Sequence, residues 1–105
     1  MIRFKFVRSG KANIGFECSG HAGYAAHGSD IVCAAISSVA YMTANTIIEI
    51  MKVDADADVK EDGEMTLRVP EESAEKTKEL LLGLELQINE LKKQYPKNVT
   101  ITTEV

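Results

Sequence analysis

From Ile31 to Ile48 the chain carries no charged residue. In a chain of 105 residues, that run restricts the possible folds more than any other feature. Ile36, Val39, Tyr41, Met42, Ile47, Ile48, Ile50 and Met51 point in several directions around a helix, and a helix apolar on most sides needs cover on most sides. The run is too rich in Ser, Thr, Asn and Ala to read as a membrane span. Its cover must come from a sheet, from a second helix and from a partner subunit, so a homodimer is expected.

The rest of the chain supplies the sheet and the second helix. Ile2, Phe4 and Phe6 share one strand face; Ala12, Ile14, Phe16 and Cys18 share another. Matching those faces predicts a three-residue loop, Ser9-Gly10-Lys11. It pairs Phe6 with Ile14, Phe4 with Phe16 and Ile2 with Cys18, and sets Arg3 beside Glu17. Cys18 then points into the core and reads as structural. Val53, Ala55, Ala57 and Val59 alternate with Asp54, Asp56, Asp58 and Lys60. Met65, Leu67 and Val69 answer them across a second three-residue loop, Glu61-Asp62-Gly63, with Gly63 able to take the left-handed position. This register sets Lys60 opposite Glu64 and Asp56 opposite Arg68. The aspartate row reads as a solvated strand face, and no fourth ligand marks it as a metal site.

Pro70 closes the second hairpin, and Glu71-Glu72-Ser73 suits a helix start. Leu80, Leu84, Ile88 and Leu91, with Leu81 beside them, form the apolar stripe. Tyr95-Pro96 stops the helix, and Val99, Ile101, Thr103 and Val105 alternate as a last strand. The expected fold is α+β: one domain over residues 1–105 in the order ββαββαβ. Its two layers are a mostly antiparallel sheet and two helices on one face.

Charge narrows the function. A net charge of −4, with no Trp and six other aromatic residues, excludes a generic nucleic-acid binder, which needs a basic footprint and stacking platforms. The start, Met1-Ile2-Arg3-Phe4-Lys5-Phe6, alternates apolar with basic and has no secretory apolar core. The expected compartment is the cytoplasm, where two cysteines are free thiols.

Chemistry concentrates in Gly20 to Ala35, which holds both histidines and Cys33. An ordinary thiol, with a pKa of about 8.5, is about 3% thiolate at pH 7. A helix N-terminus and an imidazolium both favour the anion. Ser29 or Asp30 can serve as N-cap; with Asp30 in that place, Cys33 is the third helical residue, and its N–H is among the free donors that suit an oxyanion. Cys33 is the candidate nucleophile and His21 its base; Asp30 is a candidate orienter and Ser37, one turn on, a candidate donor. The Gly- and Ala-rich loop with Gly23, His27 and Gly28 is a candidate lid. The competing reading of each is plain: a cysteine in a helix as a small buried hydrophobe, a loop as a mere connection. Cys18, His21, His27 and Cys33 are also four soft ligands in a short span, but their spacing matches no common zinc finger. No metal or other cofactor is expected.

Gly20-His21-Ala22, Gly28, and Asp30-Ile31-Val32-Cys33-Ala34-Ala35 with Ser37 resemble the bacterial ribosomal-processing cysteine protease family, and the resemblance extends over the whole chain. It implies an endopeptidase that removes an N-terminal extension from a large-subunit ribosomal protein, cutting after two aromatic residues and before a small one. It implies His21 and Cys33 as the catalytic pair, a flexible loop over 22–29, and a dimer. Asp30 and Ser37 match its signature without an assigned role. The alternative is a non-catalytic ribosome- or protein-binding module of the same fold.

Overall fold

A computed structural model of the chain describes residues 1–20, 27–61 and 63–105, with 27–30 by backbone alone. The element order is β1 (Ile2–Ser9), β2 (Ala12–Ser19), α1 (His27–Asn45) continued by a π-helical turn (Thr46–Ile50), β3 (Asp56–Val59), β4 (Met65–Arg68), a 3₁₀ turn (Glu71–Ser73), α2 (Ala74–Gln94) and β5 (Val99–Glu104). The strands form one sheet in the order β3-β4-β2-β1-β5. Among the described residues, only the β1–β5 pair is parallel. This is the expected α+β arrangement.

Both helices lie on one face of the sheet. Phe4, Phe6 and Phe16 are fully buried there, with Phe4 and Phe16 stacked at 5.3 Å. Val32, Ile36, Ala40, Thr43 and Ile47 cover them from α1, and Thr77, Leu81, Leu84, Ile88 and Leu91 from α2. The two buried threonines return their hydroxyls to the helix, Thr43 Oγ1 donating to the Val39 carbonyl at 2.8 Å and Thr77 Oγ1 to that of Ser73 at 3.3 Å. Ile31–Ile50 is long and apolar enough to cross a membrane by length and composition alone; here its core-facing stripe lies on the sheet. Its outer stripe, Ile31, Ala34, Ser38, Tyr41 and Asn45 with Met42 alongside, is exposed and uncharged.

The second hairpin has the expected register, with Asp56 opposite Arg68. Gly63 sits at φ +89°, and its N–H donates to the Lys60 carbonyl. Yet Ala57 and Val59 are exposed, because β3 is the sheet's outermost strand. The first hairpin differs from expectation. Phe6 faces Phe16, Phe4 faces Cys18, and Ser9 faces Ala12 across a two-residue turn. A bulge reconciles the two ends: Val7 pairs with Gly15 and Arg8 with Asn13, so Ile14 is the extra residue. Arg8 and Asn13 thereby turn toward α2, and both donate to the Glu85 carboxylate, at 2.8 and 3.4 Å. Lys5, not Arg3, is the neighbour of Glu17. Glu17 also accepts from Arg68 at 2.6 Å, and the Arg68 guanidinium holds the Glu17 carboxyl below its usual range.

The π-helical turn that continues α1 ends where the backbone reverses. The Val53 N–H donates to the Ile47 carbonyl at 3.0 Å, one residue wider than a Schellman bond after the π turn, with Lys52 at φ 59° as the left-handed residue that reverses the chain.

Candidate active site

The site is built where β2 ends and α1 returns over the sheet. The last pair of β2 with β1 is Ser19 with Arg3. Gly20 follows at φ +90°, and a Cβ there would stand 2.3 Å from the Met1 carbonyl oxygen. Neither the conformation nor the space admits a side chain. The first residue of the chain therefore clamps the last residue before His21. Gly20 was legible as part of a motif, but its partner across the sheet edge is a tertiary fact.

Cys33 lies on α1 between two residues that are wholly buried, Val32 and Ile36. It packs against the core yet is only partly buried itself. Ser37 is one turn on, on the same flank and also partly buried. Cys18 is 1% exposed on the sheet beneath α1. Burial pushes its thiol up to about 12, and charge on Cys33 adds to the rise. The two sulfurs are thus close enough to interact, and burial distinguishes them. Cys18 stays protonated up to strongly alkaline pH, whereas Cys33 reaches the surface.

One expectation fails on the helix start. α1 begins at His27, not after Asp30, so Cys33 is its seventh residue rather than its third. A seventh residue gives its N–H to the carbonyl four places back, and the Cys33 amide is therefore not a free donor. The free amides are those of the first turn, His27 to Asp30. Helical Cα–Cβ bonds tilt toward the N-terminus, so the Cys33 side chain leans back toward that turn.

His21 and Gly23 lie outside the described residues, as do the side chains of His27 and Asp30; of the expected lid loop, His27 and Gly28 instead open α1, because the helical ladder starts before the Ser29-Asp30 cap signal. Among the described residues, no three His, Cys, Asp or Glu side chains gather into a metal-holding group. The zinc reading rests on the two histidines and is not addressed by them.

The family model described as cysteine protease Prp matches residues 1–100. The ribosomal processing cysteine protease Prp of Bacillus subtilis (strain 168) is 30% identical, over all of this chain and 99% of its own. Among solved structures, the essential ribosomal processing protease Prp from S. aureus with a substrate peptide superposes with a TM-score of 0.90. It is 20% identical, over 99% of this chain and 100% of that one. The same protease with a covalently linked product peptide gives 0.85 at 21% identity, with the same coverage. The SMU.848 protein from Streptococcus mutans gives 0.83 at 29% identity, over 99% of this chain and 94% of its own.

Proposed function

The chain belongs to the cysteine protease Prp family, and from that premise we propose that it removes the N-terminal extension of a large-subunit ribosomal protein, with Cys33 as nucleophile and His21 as base. One observation carries this reading: of the two cysteines, Cys33 is the accessible one, on the helix that packs over the strand from which the chain continues into His21. The covalently linked product on the S. aureus protease supports covalent chemistry in this fold.

In the proposed reaction the Cys33 thiolate attacks the scissile carbonyl carbon, and the C–N bond breaks as His21 protonates the departing amine. A thioester remains. Water, giving its proton to His21, attacks the thioester and frees the sulfur. Holding the thiolate as the major form at neutral pH takes a pKa lowered by about two units, or about 2.7 kcal/mol between the protonation states. The positive end of α1 and a protonated His21 are the sources of that stabilisation. The amides of the first turn of α1 replace the Cys33 N–H as oxyanion donors. Asp30 and Ser37 are positioning residues in this scheme, His27 and Gly28 belong to the first turn of α1, and the segment before it, with Gly23, closes over the peptide.

Incubation with the extended ribosomal protein, read by intact mass, tests the substrate. A single cut after an aromatic pair and before a small residue is expected. An intact protein, or cuts scattered along it, would refute the assignment.

The working unit in this reading is a cytoplasmic homodimer, formed through the uncharged outer stripe of α1. Exposed Ile31, Tyr41 and Met42 on one helix face are apolar surface that a second copy would bury. Light scattering should give twice the 11.5 kDa of the chain, and Met42→Lys should give the monomer. A monomeric mass for the unaltered protein would remove the dimer.

A further inference from the structure

The sheet leaves one edge with a pattern that the reaction does not use. β3 is its outermost strand, and all four of its residues are exposed. The Lys60 N–H donates to the Glu64 carbonyl at 2.8 Å, which fixes the alternation of the antiparallel ladder. Asp58 and Asp56, in step with Lys60, exchange their backbone bonds with β4. Ala57 and Val59 therefore turn their N–H and C=O groups away from β4, with no strand beyond them among the described residues. The opposite edge is different: there Lys92 Nζ donates to the Val99 carbonyl at 2.6 Å, so the start of β5 is already guarded.

We propose that the outer edge of β3 binds an extended segment of the peptide substrate as an added strand, one with basic side chains alternating with apolar ones. The mode is β-augmentation, in which main-chain bonds supply affinity and alternate side chains supply specificity. Residues of an added strand share a face with the residues they oppose. Those opposite Ala57 and Val59 meet apolar surface, Val59 being 49% exposed. Those opposite Asp56 and Asp58 meet carboxylates; exposed Asp54 extends the acidic row at one end, and Lys60, in step with them and paired with Glu64, closes it at the other. A ribosomal protein fits this row, because a protein that neutralises RNA phosphates is rich in Lys and Arg. The inference rests on the proposed ribosomal substrate.

The edge also lies within reach of the nucleophile. Val59 pairs with Met65, and Met65 with Cys18 beneath α1. At about 4.8 Å per strand, an added strand runs about 14 Å from Cys18, a distance crossed by four or five extended residues. The docked segment is thus separated from the scissile bond by about that many residues.

The test uses Cys33→Ser protein, labelled with ¹⁵N and titrated with a peptide that spans the cut and its basic flank. The Ala57 and Val59 amides should shift and exchange more slowly, while those of Asp56 and Asp58 change little. Ala57→Pro removes only an outward-facing donor. It should weaken binding roughly tenfold, as should Asp56→Lys with Asp58→Lys, and neither should alter binding of a short peptide that lacks the flank. A peptide that the Cys33→Ser protein binds and the unaltered protein cuts while these amides stay unchanged, or that binds both variants as tightly as the parent, overturns the added strand and leaves the proposed reaction standing. A peptide that the Cys33→Ser protein does not bind and the unaltered protein does not cut overturns both.

Discussion

Replacing Cys33 by serine is expected to lower peptide cleavage by at least about 10³-fold, because an alcohol in that place is not ionised by the surroundings that ionise a thiol. Replacing Cys18 by alanine is expected to leave turnover within a few-fold of the parent. Both residues are sulfur-bearing, both touch the core, and charge on Cys33 helps to push the Cys18 thiol up. Burial separates them. Cys18 is sealed beneath α1 and its thiol is pushed up to about 12, so it carries essentially no thiolate at neutral pH. The Cys18→Ala protein should instead lose about 1–2 kcal/mol of stability, from a small cavity under the helix. The decisive pattern is the crossing of the two effects, with activity lost at Cys33 and stability lost at Cys18. Equal losses of activity at both positions would mean that the assignment of roles is wrong.

The second large effect is expected at Gly20. Alanine there faces two penalties. A side chain at φ +90° is strained by about 1–3 kcal/mol. Its Cβ would also meet the Met1 carbonyl oxygen at 2.3 Å, which forces a backbone shift of the kind that costs about 1–3 kcal/mol more. A total near 4 kcal/mol corresponds to a fall in Tm of about 15–30 °C for a domain of this size. Gly10 supplies the control. It also has positive φ, at +63°, but a Cβ there meets nothing within 4 Å. Gly10→Ala should therefore show only the smaller, conformational part of the loss. Gly20→Ala should also lower kcat at temperatures where it is folded, because the residue that follows is His21, and a shift of about 1 Å in a catalytic group can cost up to about 10²-fold. Thermal melts and kinetics of the two variants side by side check this. Equal melting losses would remove the clamp at Met1 from the explanation.

How far the sequence reveals this structure depends on whether a signal is local. Alternation in 53–69 set the second hairpin to the residue, because only one loop length matched its faces and Gly63 suited the turn. In the first hairpin, unbroken pairing excludes a two-residue turn, because it would set apolar residues opposite polar ones, and the bulge lifts that exclusion. A three-residue loop and a two-residue turn with one bulged residue both bring apolar side chains together, and the choice falls to tertiary contacts. The missed clue was Gly15. A Cβ there would stand 2.0 Å from the Leu67 carbonyl oxygen, and a glycine within a strand often marks a bulge or a close backbone approach.

The start of α1 was misplaced for a related reason. Gly28-Ser29-Asp30 reads as a cap, yet the helix runs through it from His27. The local preference of Ser and Asp for helix ends is worth about 1 kcal/mol, which continuation of the backbone ladder outweighs here. That difference removed the Cys33 amide from the oxyanion site while leaving Cys33 itself as the candidate nucleophile. The outer edge of β3 was hidden as well, since Ala57 and Val59 read as core until β3 is seen to be the last strand.

The central claim is that one particular sulfur, that of Cys33, becomes covalently joined to the substrate. Rapid acid quenching of a reaction between the protein and its extended ribosomal substrate, followed by peptide mapping of the trapped species, measures this directly. A thioester on Cys33 carrying the N-terminal fragment, formed before free fragment accumulates, is the expected result. Cleavage that proceeds with no adduct on Cys33, or with an adduct on Cys18, would contradict it.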